Sequence, residues 1–154
     1  MKKINWKLLL FSLIVPLVVG GLSTLIIKDN LDIYSSINLP DFAPPSFLFG
    51  IVWTVLYVLM GVSFYLILNK STKKNEAVYY FILQLFVNFL WPIVFFNFRL
   101  FWLAFALIVL LLYLIIMMII SFYKISKPSA ILQIPYLIWT AFATVLNLAI
   151  AILN

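Results

Sequence analysis

Residues 100–122 read LFWLAFALIVLLLYLIIMMIISF, a run without one charged side chain and apolar on every face. A strand in a membrane barrel alternates apolar and polar residues over about ten positions. A helix on the surface of a soluble domain keeps one polar face. This run does neither. It is long enough for a helix to cross the roughly 30 Å hydrocarbon core, and a helix satisfies its backbone polar groups without water. Composition points the same way, since 67% of the 154 residues are hydrophobic and only 9% are charged. A soluble chain of this size has too much surface for its volume to hide that much apolar area.

Four more apolar runs flank this one, so the chain reads as an all-α membrane protein, a single bundle of five transmembrane helices over residues 1–154. The predicted spans are about 8–27, 46–69, 76–96, 100–122 and 129–153. The first follows MKKINWK, a basic start that a signal peptide would share. However, its core exceeds the roughly 7–15 residues of such a segment and no A-x-A site closes it, so it reads as an uncleaved span. Pro16 predicts a kink that neighbouring helices accommodate. Gly20 and Gly21 offer a small-residue contact face.

Residues 28–45 form the one long connection. It carries Asp29, Asp32 and Asp41 against Lys28 and closes on LPDFAPP. Its prolines stiffen it, and a connection of this length between closely spaced helices reads as a lid or a partner surface. The basic residues set the orientation. Lys2, Lys3 and Lys7, then Lys70, Lys73 and Lys74, then Lys124 and Lys127 fall on one side, against Lys28 and Arg99 on the other. By the positive-inside rule the N-terminus is cytoplasmic, and the C-terminus and the acidic lid face outward. The formal charge of +6 is thus membrane anchoring, with no basic face for nucleic acid.

Chemistry is constrained as much by what is missing. The chain has no cysteine and no histidine, which removes disulfides, thiolates, imidazole bases and the usual zinc, haem-iron or copper ligands; no metal site is expected. No charged residue lies deep in a span, which disfavours an ion-coupled pump, and no filter motif suggests a channel. The intramembrane polar residues are Gln84, Asn88, Gln133 and Asn147. Gln84, Asn88 and Trp91 share one face of their helix at i, i+4, i+7. Trp53, Tyr57 and Met60/Gly61 line a face of the second span, while Trp139, Phe142/Ala143 and Asn147 approximate a stripe on the fifth. Two readings fit. Converging faces would enclose an apolar pocket with a few polar groups, suited to a flat amphiphile. Equally, amides in spans bridge helices at about 0.6 kcal/mol on average, and tryptophans such as Trp6 and Trp102 sit at interfaces.

Three segments taken together resemble the TspO/MBR family, the translocator proteins, tryptophan-rich sensory proteins or peripheral-type benzodiazepine receptors. They are LPDFAPP at 39–45 leading to FGIVWTVLY at 49–57 with Met60-Gly61, QLFVNFLWP at 84–92 with Phe95-Phe96, and PYLIWTAFA at 135–143 followed by Leu146-Asn147 and Asn154. The likeness covers essentially the whole chain. It implies a receptor or regulator that binds tetrapyrroles such as protoporphyrin IX or haem, and benzodiazepine-type hydrophobic ligands, in a bundle that is commonly a homodimer. By position, Trp53, Tyr57, Asn88, Trp91, Tyr136, Trp139, Ala143 and Asn147 would line or border the pocket, with Tyr34, Pro40, Phe42, Pro44 and Pro45 in the lid. Trp53 and Trp139 match tryptophans implicated in porphyrin degradation in bacterial relatives. That makes a light- and oxygen-dependent enzyme the alternative, with those two as its catalytic residues. No triad, metal site or carboxylate pair supports a conventional enzyme, and a transporter of small amphiphiles lacks coupling residues. The expected location is a bacterial plasma membrane. Two departures stand out: Ile33 and Phe42 occupy positions where relatives usually carry tryptophan. The segment after Asn147 also lacks the L/V-x-Y-x-K/R pattern proposed for cholesterol. Without histidine or cysteine, free-base porphyrin should bind at least as well as haem.

Overall fold

The computed structural model describes residues 4–70 and 72–154; Lys2 and Lys3 of the orientation argument lie outside them. Five helical stretches, 6–30, 46–68, 75–97, 101–125 and 127–153, are long and apolar enough to cross a membrane. The chain is therefore an all-helical, multi-pass membrane protein, with no strand among the described residues.

Helix α1 (Trp6–Ile27) starts where the Asn5 side chain accepts a hydrogen bond from the Leu8 amide at 3.1 Å, a side-chain cap for an otherwise unpaired donor. Pro16 has no amide to offer the Ser12 carbonyl. That carbonyl lies instead against Gly61 of α3 (Ser46–Leu68), where an added Cβ would stand 2.9 Å from it and 2.7 Å from Leu13 Cα. One turn-pair further along, Gly20 is covered by the Tyr57 ring, which an added Cβ would overlap. Gly61 thus lets α1 and α3 touch backbone to backbone and Gly20 seats the Tyr57 ring, the small-residue packing that replaces hydrophobic drive inside lipid. Gly20, read from sequence as part of a contact face, is used within the chain, while Gly21 faces outward.

The third span is α4 (Asn75–Pro92), which passes into a π turn at Ile93–Asn97. There the Phe98 amide bonds to the Ile93 carbonyl at 3.3 Å, and Leu100 to Val94 at 3.2 Å. Arg99 reverses the chain at φ 54°, a left-handed position that is costly for a side chain bearing Cβ. Helix α5 (Phe101–Ile125) is the long apolar run. The fifth span is broken: α6 (Lys127–Ile131) stops at Leu132–Gln133 and α7 (Ile134–Leu153) restarts, with Pro135 in its first turn, where a missing amide costs nothing. Sequence reasoning expected continuous helices here and through residue 96.

Around the bundle the order is α1, α3, α6–α7, α5, α4, closing back on α1. Ser63 and Ser129 exchange hydroxyl-to-carbonyl bonds at 2.8 Å and clamp α3 to α6. Large apolar side chains such as Phe11, Ile82, Trp102 and Ile138 point outward, as a lipid-facing surface requires.

Residues 28–45 fold over one end as a 3-10 turn at Lys28–Asn30 and a short helix α2 (Ile33–Ser36). Tyr34 is buried there; its hydroxyl donates to the Pro44 carbonyl at 2.8 Å, and its ring meets Phe49 edge-on at 5.2 Å. Asn30 donates to Asn97 at 3.0 Å. The Asn38 amide donates to Asn154 Oδ1 at 3.0 Å, and Asn154 Nδ2 returns a bond to the Asn38 carbonyl at 3.0 Å. The loop is thus hydrogen-bonded to the bundle at Asn97 and at Asn154 and braced internally by Tyr34.

Candidate ligand cavity

Below this lid a cavity of about 730 Å³ opens among α1, the first half of α3, the end of α4 and the last half of α7. That volume lies within the roughly 300–1,000 Å³ typical of small-molecule sites. Trp53, Tyr57, Asn88, Trp91, Ala143 and Asn147 line it, as expected from sequence, together with Tyr34 of the lid.

Its polar groups are tied to one another. Tyr57 Oη donates to Asn88 Oδ1 at 2.7 Å, and Asn88 Nδ2 donates to Tyr136 Oη at 2.9 Å. Tyr136 Oη in turn donates to Gln84 Oε1 at 2.8 Å, whose Nε2 reaches the Phe81 carbonyl at 3.1 Å. Nearer the lid, Trp91 Nε1 donates to Asn147 Oδ1 at 2.9 Å and Asn147 Nδ2 to the Phe101 carbonyl at 3.0 Å. In a dry interior such saturation is what keeps polar groups affordable. It leaves a cavity whose walls are chiefly aromatic and aliphatic, with Trp53 stacked on Tyr57 at 5.7 Å and Trp91 against Phe95 at 5.4 Å. The lining contains no lysine, arginine, aspartate or glutamate.

Tyr136 and Trp139, expected to line or border the pocket, stand behind its wall against residues that line it. Tyr136 is fully buried behind Asn88, with Trp53 edge-on against its ring at 6.0 Å. It shares a face of α7 with Ala143 but sits seven residues away, about 10 Å deeper at 1.5 Å per residue. Trp139 packs between Phe49 at 5.8 Å and Phe142 at 5.5 Å and borders a separate groove on the α3–α7 face. The reason is helical drift. Each four-residue step turns about 40° beyond a full circle, so Asn147 lies about 80° around α7 from Trp139. In the lid, Pro40, Phe42, Pro44 and Pro45 do not line the cavity: Phe42 meets Phe142 at 6.4 Å, and Pro44 anchors Tyr34. The wall also holds residues that sequence reasoning passed over. Ile150 carried no signal separating it from ordinary packing, while Gly20, Phe49 and Phe95, noted in the sequence for other reasons, also stand in the wall, and buried Ser23 has a hydroxyl without a hydrogen-bond partner.

A five-span helical bundle with a lidded, aromatic-walled cavity between its helices defines a class of membrane protein built around a hydrophobic ligand-sized space. Residues 12–153 match the TspO/MBR family. The chain is 37% identical over 124 residues to the tryptophan-rich protein TspO of Chlorobaculum tepidum, covering 79% of this chain and 78% of that protein. It is 38% identical over 122 residues to the same-named protein of Archaeoglobus fulgidus, covering 79% of each. With the human translocator protein it shares 33% identity over 120 residues, 74% of this chain and 70% of that one. This chain belongs to the TspO/MBR family.

Proposed function

We propose that the protein is a membrane receptor or regulator that binds a flat hydrophobic ligand, a tetrapyrrole such as protoporphyrin IX or a benzodiazepine-type compound, in the lidded cavity. The observation that carries this reading is the cavity itself: a ligand-sized space with the Trp53 and Trp91 indoles in its wall and amides available only at Asn88 and Asn147. Aromatic walls suit a planar π-system. The names of relatives, a tryptophan-rich sensory protein in Cereibacter sphaeroides and translocator proteins in mammals, agree with a receptor or regulator in a membrane. We place it in a bacterial plasma membrane, with the N-terminus cytoplasmic and the lid outside, and as a homodimer.

With no cation in the lining, porphyrin carboxylates would sit toward the lid margin, the side to which Lys28 and Arg99 are assigned. Free-base porphyrin binds at least as well as haem, because the chain supplies neither histidine nor cysteine to the iron. The test is a titration of detergent-purified protein with protoporphyrin IX, followed by tryptophan quenching, in the parent and in Ala143→Phe, which fills the cavity. Saturable micromolar binding lost in the variant supports the reading. Binding that is absent, or indifferent to the filled cavity, overturns it.

A second reading, photo-oxidative breakdown of the bound porphyrin, is favoured only by Trp53, which lies in the wall stacked on Tyr57; Trp139 is one aromatic layer away. Illumination should bleach bound porphyrin faster in the parent than in Trp53→Phe. Equal bleaching rates would dismiss the enzyme.

A further inference from the structure

We infer that ligands reach the cavity sideways from the bilayer, through a slot between α1 and α3 whose width is set by Gly21 and Gly50. The inference rests on the cavity being a ligand site and adds the route and the class of ligand it admits, namely molecules already dissolved in the membrane.

The observations converge from both ends of the cavity. Toward the lid, the way from water is fastened by the Asn38–Asn154 amide pair and the Asn30–Asn97 bond, with the Tyr34–Pro44 bond holding the lid's own fold. On the α4 and α7 sides the lining residues are buried or half-buried. Apart from Leu31 of the lid, every exposed residue of the lining lies on α1 or α3. The two helices are in tight contact at Gly61 and again where Gly20 meets Tyr57. Beyond Tyr57, toward the lid, both helices contribute exposed residues to the cavity lining. A Cβ added at Gly21 or at Gly50 would meet no atom within 4 Å, although both glycines line the cavity. Exposed glycines on both helices, each lining the same cavity with open space where a side chain would stand, mark a slot between them.

The rim is suited to lipid. Leu17, Leu25 and Phe47 present hydrocarbon, and the two threonines satisfy their hydroxyls internally: Thr24 donates to the Gly20 carbonyl at 2.9 Å and Thr54 to the Gly50 carbonyl at 2.7 Å. No charged residue stands in it. An uncharged, internally bonded rim carries little desolvation cost for an apolar ligand and a high one for an ionic ligand. Gly21 and Gly50 are therefore specificity-determining positions: enlarging them narrows the path without touching the cavity floor at Asn88.

The absence of cysteine allows a test that does not depend on which ligand binds. Ala143→Cys, on the buried far wall of the cavity, is reconstituted into liposomes and reacted with a membrane-soluble pyrene maleimide or with a membrane-impermeant sulfonated maleimide. Gly21→Leu/Gly50→Leu and the lid-unfastening pair Asn38→Ala/Asn154→Ala are compared on this background. The lipophilic reagent should label at least about tenfold faster than the sulfonated one, and the leucine pair should slow it by at least about tenfold, a barrier change of about 1.4 kcal/mol. The alanine pair should leave both rates unchanged. Comparable labelling by the sulfonated reagent, no labelling by the lipophilic one, indifference to the leucines, or acceleration by the alanine pair would each overturn the lateral route. Failure of protoporphyrin binding in a separate titration would instead count against the ligand assignment and leave the labelling result standing.

Discussion

Replacing Tyr136 by phenylalanine removes one oxygen and with it two hydrogen bonds, from Asn88 at 2.9 Å and to Gln84 at 2.8 Å. Tyr136, Asn88 and Gln84 are all buried. Hydrogen bonds between membrane helices average about 0.6 kcal/mol and reach about 1.7 kcal/mol, so two are worth roughly 1–3 kcal/mol. Leaving a buried polar atom unpaired costs about 1–3 kcal/mol. The atoms stranded are Asn88 Nδ2 and Gln84 Oε1, while the bonds from Tyr57 to Asn88 Oδ1 and from Gln84 Nε2 to the Phe81 carbonyl persist and hold both amides in place. A destabilisation of about 2 kcal/mol follows, a large shift in the folded-to-unfolded ratio, read by unfolding in mixed micelles with rising SDS. Porphyrin affinity in the same variant should move by less than about threefold, because Tyr136 stands behind the cavity wall. A stability change below about 0.5 kcal/mol would refute the load assigned to the network. A large loss of affinity with intact stability would refute the placement of Tyr136.

Gly61→Ala should cost about 1–3 kcal/mol through overpacking, because its Cβ would stand 2.7 Å from Leu13 Cα, whereas Gly21→Ala, with open space, should be neutral or stabilising by up to about 1 kcal/mol; the same SDS titration separates them. Burial raises the Tyr34 hydroxyl above its ordinary pKa of 10.0. With the folded value the higher one, its contribution is complete below pH 10.0 and is lost as pH rises through the raised value. An alkaline stability series should therefore show a fall above pH 10.0 that Tyr34→Phe lacks, and a parent curve identical to the variant's would contradict it. Asn147→Leu should strand the Trp91 indole N–H and the Phe101 carbonyl and lower stability by about 1–3 kcal/mol, again read by SDS unfolding.

The five spans were legible because hydropathy is a bulk property of a run, and residues 100–122 leave no other solvent open to them. The stripe Gln84, Asn88, Trp91 was legible as a face because i, i+4, i+7 stays within one side of a helix. What that face does was not. Spacing places Asn88 and Tyr136 on their own helices but carries no information on their depth relative to one another, and it is depth that puts Asn88 in the wall and Tyr136 behind it. The stripe Trp139, Ala143, Asn147 is an approximate one, since each four-residue step drifts about 40° and its two ends stand about 80° apart around the helix. The break at Leu132–Gln133 and the π turn after Pro92 left no trace in apolar runs, because both rearrange backbone hydrogen bonds without changing side-chain polarity. Gly20 and Gly21 were visible as small residues. Only the fold shows that one seats Tyr57 and the other borders open space.

The most direct test of the account compares protoporphyrin IX titrations of Trp53→Phe and Trp139→Phe, each as a single variant. With Trp53 in the cavity wall and Trp139 outside it, Trp53→Phe should weaken binding by at least about tenfold, or about 1.4 kcal/mol, and Trp139→Phe by less than about threefold. Loss of binding on replacing Trp139, with Trp53 dispensable, would move the ligand out of this cavity and contradict the account.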